Sequence, residues 1–156
     1  MRNLQFLELK IPPALVFLIF GALMFLLDRT LPVGEFDFFG RELLMKLLVV
    51  LAVLVAGIAL IQFARHKTTI DPTKPQSASH LVTTGIYRFT RNPMYLGMLL
   101  FLLALGLHLG NAFNTLVAAG YVAYMNRFQI QPEERQLSRL FGNEFKQFCL
   151  QTRRWF

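Results

Sequence analysis

Two stretches of this 156-residue chain gather side chains that can do chemistry. The first, Ser79–Gly97, reads SHLVTTGIYRFTRNPMYLG, and the second, Gln129–Gly142, reads QIQPEERQLSRLFG. Tyr87 and Tyr95 offer aromatic faces to a cation or a flat ring. Glu133 or Glu134 can pair with an ammonium group, and Arg88 or Arg91 with a carboxylate. Gly85 and Gly97 allow a backbone to come close. Each residue also has a plainer use. The tyrosines suit an interfacial aromatic belt and the arginines suit anchors of a cytoplasmic loop. The glutamates after Pro132 suit a helix N-terminus, and Asn92 before Pro93 suits a turn or a cap. A single cysteine, Cys149, allows no internal disulfide, and no Cys/His group has metal-ligand spacing, so no metal site is expected.

These stretches are carried by an unusually apolar chain, 54% hydrophobic and 16% charged, against about 25% charged in an ordinary soluble domain. Disorder is excluded, because such a chain collapses in water, and the length suits one domain. Four apolar stretches approach the roughly 20 residues that cross a bilayer. They are Ile11–Leu27, opened by Pro12 and Pro13; Leu43–Ile61, with Lys46 near one end; Met94–Leu109; and about Ala112–Met125. The first lacks a small-x-small cleavage site and three more follow, so it reads as a retained anchor. The last two are short and joined around Gly110-Asn111, which predicts a tight helical hairpin.

Basic residues sort by side. Arg2, Lys10, Arg65, Lys67, Lys74, Arg88, Arg91 and the six of the tail from Arg127 to Arg154 fall together, while Arg29 and Arg41, with Lys46, face the other way. The positive-inside rule then puts both termini and both polar stretches in the cytoplasm. The formal charge of +7 suits anionic lipid headgroups rather than nucleic acid. Pro72 and Pro75 predict an extended loop over Thr68–Ser79. In the tail, Leu137, Leu140, Phe141, Phe145, Phe148 and Cys149 recur at three- and four-residue steps behind Pro132, which predicts an amphipathic helix along the cytoplasmic surface. The expected fold is an all-α integral membrane protein: four transmembrane helices plus a C-terminal amphipathic interfacial helix. The hairpin brings the two polar stretches together although about 30 residues separate them.

The run G-I-Y-x-x-x-R-N-P-M-Y-L-G, followed after the hairpin by P-E-E-x-x-L-x-x-x-F-G-x-x-F, resembles the isoprenylcysteine carboxyl methyltransferase and phospholipid methyltransferase superfamily of integral membrane enzymes. The likeness covers residues 68–156. It implies S-adenosyl-L-methionine as cofactor, bound by the regions 68–97 and 127–156. The cofactor-binding residues it implies are Ser79, His80, Leu81, Val82, Tyr87, Arg91, Asn92, Pro93, Met94, Tyr95, Gly97, Glu133 and Glu134, with Glu133 and Arg127 in catalytic roles. It further implies a small prokaryotic-type member in the inner membrane, with membrane lipids and a lipophilic methyl acceptor as partners. No G-x-G-x-x-G run occurs, so the soluble α/β methyltransferase fold is excluded.

Three positions depart from the family pattern. Asn92 stands where relatives often have His, and Phe145 where Tyr is frequent. Gln129 and Gln131 stand where carboxyl methyltransferases hold the substrate carboxylate with an arginine, the nearest here being Arg127. This tells against an isoprenylcysteine carboxylate as acceptor and leaves a lipid amine or another small apolar nucleophile open. Cofactor entry is expected from the cytosol and acceptor entry sideways from the bilayer. The competing readings are a non-catalytic four-helix membrane protein and a small transporter. A proton-coupled transporter needs an ionisable residue within the membrane, and only Lys46, near a span end, is charged. His66 and His80 read as solvated loop residues and His108 as structural. Gly106 and Gly110 read as a helix-packing pair.

Overall fold

The structure is a computed structural model that describes residues 7–31, 34–66 and 80–156. Ser79 and the proline loop before it lie outside the described residues.

Among the described residues five α-helices follow one another: α1 (Pro13–Thr30), α2 (Arg41–His66), α3 (Pro93–Leu109), α4 (Asn114–Met125) and α5 (Gln131–Gln151). Pro12 and Pro13 start α1, as proline suits the first helical turn. The helix runs past the apolar stretch to Thr30, whose hydroxyl donates to the Leu26 carbonyl at 2.8 Å, and Arg29 lies 4.7 Å over the Phe25 ring. α2 likewise exceeds its apolar stretch at both ends, because Arg, Glu, Lys and Gln are good helix formers and Lys46 pairs with Glu42 one turn away. α3 stops where Gly110 takes φ 74°, its N–H donating to Gly106. The left-handed conformation is cheap only for glycine.

The tail differs from the expected helix that starts fresh at Pro132. α4 passes through a π-helical turn, Asn126–Ile130, straight into α5. A proline within a helix has no N–H and crowds the carbonyl four residues back. The wider turn absorbs this: the N–H of Gln131 reaches Asn126. The Phe128 carbonyl, which Pro132 cannot serve, instead accepts the Leu9 N–H at 3.0 Å. Leu9 has φ 58°, so the N-terminal segment is bent over the π turn. α5 is itself broken at Gly142, with φ 50° and ψ −116°.

Contacts at the helix ends define an up-down-up-down bundle. Leu9 meets Phe128, and the Asn111 amide donates to Leu31, so α1 runs antiparallel to α4. Gln62 meets the turn ahead of α3, and Arg41 lies beside Gly110 at its far end, so α2 runs antiparallel to α3. Val16, Met24, Tyr95, Leu99, Leu102, Ala118, Tyr121 and Met125 form the main core between α1, α3 and α4. α1 and α2 are long and apolar enough to cross a membrane, and only 17% of each is buried. Leucines, isoleucines and phenylalanines such as Leu18, Leu26, Leu47, Leu54 and Ile61 point outward. So large an exposed apolar surface is the mark of a membrane protein rather than of a soluble core.

α2 and α3 meet through small residues. Ala52 and Ala59 are fully buried, and a Cβ built on Gly97 would sit 3.0 Å from the Ala56 Cβ and 3.2 Å from the Ala52 carbonyl oxygen. Backbone cannot give way as a flexible side chain can. Gly97→Val is expected to cost about 2–3 kcal/mol and to lower the melting midpoint of the detergent-solubilised protein by several degrees. An unchanged midpoint would show that the helices are not held at this distance.

Candidate active site

The start of α3 and the start of α5 converge at the same end of the bundle. Pro93 opens α3, and Asn92 before it bonds no helical N–H through its side chain. Its amide donates instead to the Arg154 carbonyl at 3.0 Å. Thr90 hydroxyl donates to the same carbonyl at 3.0 Å, and the Arg91 N–H donates to Arg153 at 2.9 Å. The Arg-Asn-Pro turn is thus tied to the residues that follow α5.

Two guanidinium groups converge on Glu134. Arg91 Nη2 lies 2.8 Å from its Oε1, and Arg154 reaches both oxygens, with Nη2 2.6 Å from Oε2 and Nε 3.0 Å from Oε1. Arg91 also donates to the Cys149 and Thr152 carbonyls at the end of α5. Burial alone would raise the Glu134 carboxyl, but the hydrogen bonds and charges of Arg154 and Arg91 outweigh it and hold the group below its ordinary value. Arg91 Nε is buried without a partner.

Glu133 faces a different environment. Tyr95 Oη donates to its Oε1 at 2.5 Å, and Gln129, one turn earlier on the π turn, donates to the same atom at 2.7 Å. Among the described residues no arginine or lysine pairs with it. Burial therefore pushes the Glu133 carboxyl up to about 7, against the two hydrogen bonds, which lower it, and with Glu134 nearby raising it further. Tyr87, on a 3-10 turn at Gly85–Arg88, is buried among Val82, Phe145 and Phe148. Its hydroxyl has no partner among the described residues, and burial, then the charge of Glu133, pushes it well up. The result is one carboxylate clamped by two arginines, which lower its proton affinity, beside one held by neutral donors, whose proton affinity burial raises.

The structure brings together Val82, Tyr87, Arg91, Asn92, Pro93, Tyr95, Glu133 and Glu134 from the expected set. Tyr87 and Tyr95 are 5% and 4% exposed, so neither is a lipid-facing belt residue. The glutamates cap no helix N-terminus, since α4, the π turn and α5 form one helical path. Leu81 packs against the Tyr87 cluster and Met94 against the main core, while Gly97 serves the α2–α3 contact. His80 and Arg88 are exposed. Arg127 is turned to the N-terminal segment, where it pairs with Glu8 at 2.8 Å, a carboxylate that Arg135 also reaches. Sequence reading counted Arg154 only as a cytoplasmic charge, and Gln129 only as an occupant of the arginine's place. A basic pair just past a helix end, and a Gln four residues before a Glu, are the signals that could have marked them.

Outside this cluster a groove of about 860 Å³ runs along α5, lined by Glu134, Arg154, Phe145, Cys149 and the exposed side of the helix. That volume is within the ~300–1,000 Å³ of small-molecule sites. Burial raises the Cys149 thiol, the nearby arginines notwithstanding.

The family described as "Phospholipid methyltransferase" matches residues 41–144. A protein of Haemophilus influenzae, described only as uncharacterized, is 42% identical over 62 residues, which are 40% of this chain and 98% of that protein. The protein-S-isoprenylcysteine O-methyltransferase of Schizosaccharomyces pombe is 30% identical over 90 residues, 58% of this chain. The matched stretch is 38% of that enzyme, well under half of its length. No solved structure matches.

Proposed function

Because the chain belongs to the phospholipid methyltransferase family, we propose that it is an integral membrane, S-adenosylmethionine-dependent methyltransferase acting on a lipophilic or small acceptor at the cytoplasmic membrane interface. The observation that carries this reading is the meeting of the Arg-Asn-Pro turn with the twin glutamates, through Tyr95–Glu133 at 2.5 Å and Arg91–Glu134 at 2.8 Å. In this reading α1 to α4 are the spans, α5 lies at the interface among anionic lipid headgroups, and both termini are cytoplasmic.

The residues present fit the cofactor. S-Adenosylmethionine, when bound, supplies a methyl group on a sulfonium, already activated for in-line displacement. Glu133, which has no cationic partner among the described residues, can pair with its positive charge. The unpartnered Arg91 Nε and Tyr87 hydroxyl are buried donors that a ligand can satisfy, and the faces of Tyr87 and Tyr95 can hold a cation or a flat base. The protein's work is then to align the two reactants and exclude water. Glu133 Oε1 or Oε2 can also take a proton from an amine or thiol acceptor, whereas a carboxylate acceptor needs no base.

Titration of the purified full chain with S-adenosylhomocysteine is expected to show saturable binding. Incubation of a membrane lipid extract with protein and methyl-labelled cofactor is expected to label one lipophilic product, whose headgroup identifies the acceptor. No binding and no labelled product would count against the proposal.

A further inference from the structure

The second helix, which carries no recognisable motif, holds the tyrosine turn in place. Gln62, near the end of α2, meets the backbone on both sides of Gly85. Its Nε2 donates to the Thr84 carbonyl at 3.3 Å, and its Oε1 accepts the Ile86 N–H at 3.2 Å. One side-chain amide thus bridges the backbone on either side of Gly85. It leaves no room for a side chain between them. A Cβ on Gly85 would lie 1.7 Å from Gln62 Nε2, and Gly85 has φ +60°, which disfavours any other residue. The next residue along α2, Phe63, sets its ring edge-on to Tyr87, with centroids 5.5 Å apart at 90°.

Tyr87 is held by packing against Val82, Phe145 and Phe148, and the Arg88 carbonyl accepts from Thr152, but the backbone at Thr84–Ile86 is met by Gln62. Thr84 bonds no helical N–H through its side chain, and the turn is four residues long, too short to be stable alone. From this geometry we infer that Gln62 is a positioning residue: through its two hydrogen bonds to the Thr84–Ile86 backbone it sets Tyr87 beside Glu133 for ligand binding. The same span that faces lipid along most of its length thereby fixes one wall of the polar site, and Gly85 exists to admit the amide. The inference rests on the proposed reading of Tyr87 as a cofactor contact.

The test is titration of the full-length protein with S-adenosylhomocysteine. Gln62→Leu, which keeps the size and removes both bonds, is expected to weaken affinity about tenfold, the effect of losing two ordinary hydrogen bonds. Binding stoichiometry per folded protein stays unchanged. Gln62→Glu keeps the acceptor for Ile86 and loses the donor to Thr84, so it is expected to fall between the two. It also keeps the inference testable if Gln62→Leu does not fold. A residue acting through Tyr87 has no effect once Tyr87 is gone, so Gln62→Leu is expected to change nothing further in a Tyr87→Leu background. Equal affinity in wild type and in the folded Gln62 variants overturns the inference alone, as does a full tenfold loss persisting in the Tyr87→Leu background. Failure of the wild-type protein to bind overturns the methyltransferase reading and the inference with it.

Discussion

Glu133→Gln is expected to abolish nearly all methyl transfer while leaving the fold intact. The amide keeps the shape of the carboxyl and can still accept hydrogen bonds from Tyr95 and Gln129, which reach the same oxygen. It cannot pair with a positive charge. Losing a charge-assisted contact in a dry site is worth about 3 kcal/mol, or roughly a hundredfold in rate. The pH dependence separates this role from a packing effect. Glu133 ionises around 7 because burial raises it from an ordinary 4.5. The form that pairs with a cation therefore increases as pH rises through 7, and wild-type cofactor affinity is expected to strengthen from about pH 6 to 8 and then level off.

Stability moves the opposite way. A group whose folded value is raised favours the folded state through its neutral form. That contribution is complete below about 4.5 and is lost as pH rises through about 7. Between those limits the wild type is expected to lose up to about 3 kcal/mol relative to Glu133→Gln. Melting midpoints of the two proteins should nearly coincide at pH 5 and differ at pH 8, with the glutamine variant the more stable. Equal midpoints at both pH values, or a pH-independent affinity in the wild type, would remove Glu133 from the role given to it.

The second large effect is expected at Arg91. Its guanidinium, with only 12% of the side chain exposed, binds Glu134 and two carbonyls at the end of α5. Arg91→Ala leaves those carbonyls and half of the Glu134 carboxylate without their donor. Breaking a largely buried ion pair on one side costs about 3–5 kcal/mol, here reduced somewhat because Arg154 still holds Glu134. Arg91→Lys is expected to do little better, since a single ammonium nitrogen cannot replace the two guanidinium nitrogens that serve these three acceptors. The damage should be local at first. The segment after Gln151 is tied to the Arg-Asn-Pro turn through Thr90, Arg91 and Asn92. Limited proteolysis is therefore expected to cut near Thr152–Trp155 in both variants before the bundle melts. Protection equal to wild type would mean that Arg91 does not hold the tail.

The apolar stretches, the proline starts and the glycine stop of α3 were all legible in the sequence, because helix periodicity and capping act over a few residues. Tyr87, Arg91, Tyr95 and the twin glutamates stood out in the sequence through the resemblance of their two motifs to a known family, while residue type alone left them plainer readings. The π turn was not legible. It depends on how Pro132 is accommodated within a helix already packed on the bundle, and on a Leu9 backbone donor more than a hundred residues away. The roles of Gln62, Arg154 and Glu8 were hidden for the same reason, since each acts on a partner distant along the chain.

By itself the sequence determined that this chain is a helical membrane protein, because burial of apolar surface follows from composition and period alone. Tertiary structure decided how the two carboxyl groups differ in proton affinity. Adjacent glutamates on one helix point in different directions, so one meets two arginines and the other a tyrosine and an amide. Proton affinity is a property of those surroundings, not of the residue, and it comes into existence only when α3, the π turn and the tail close around them.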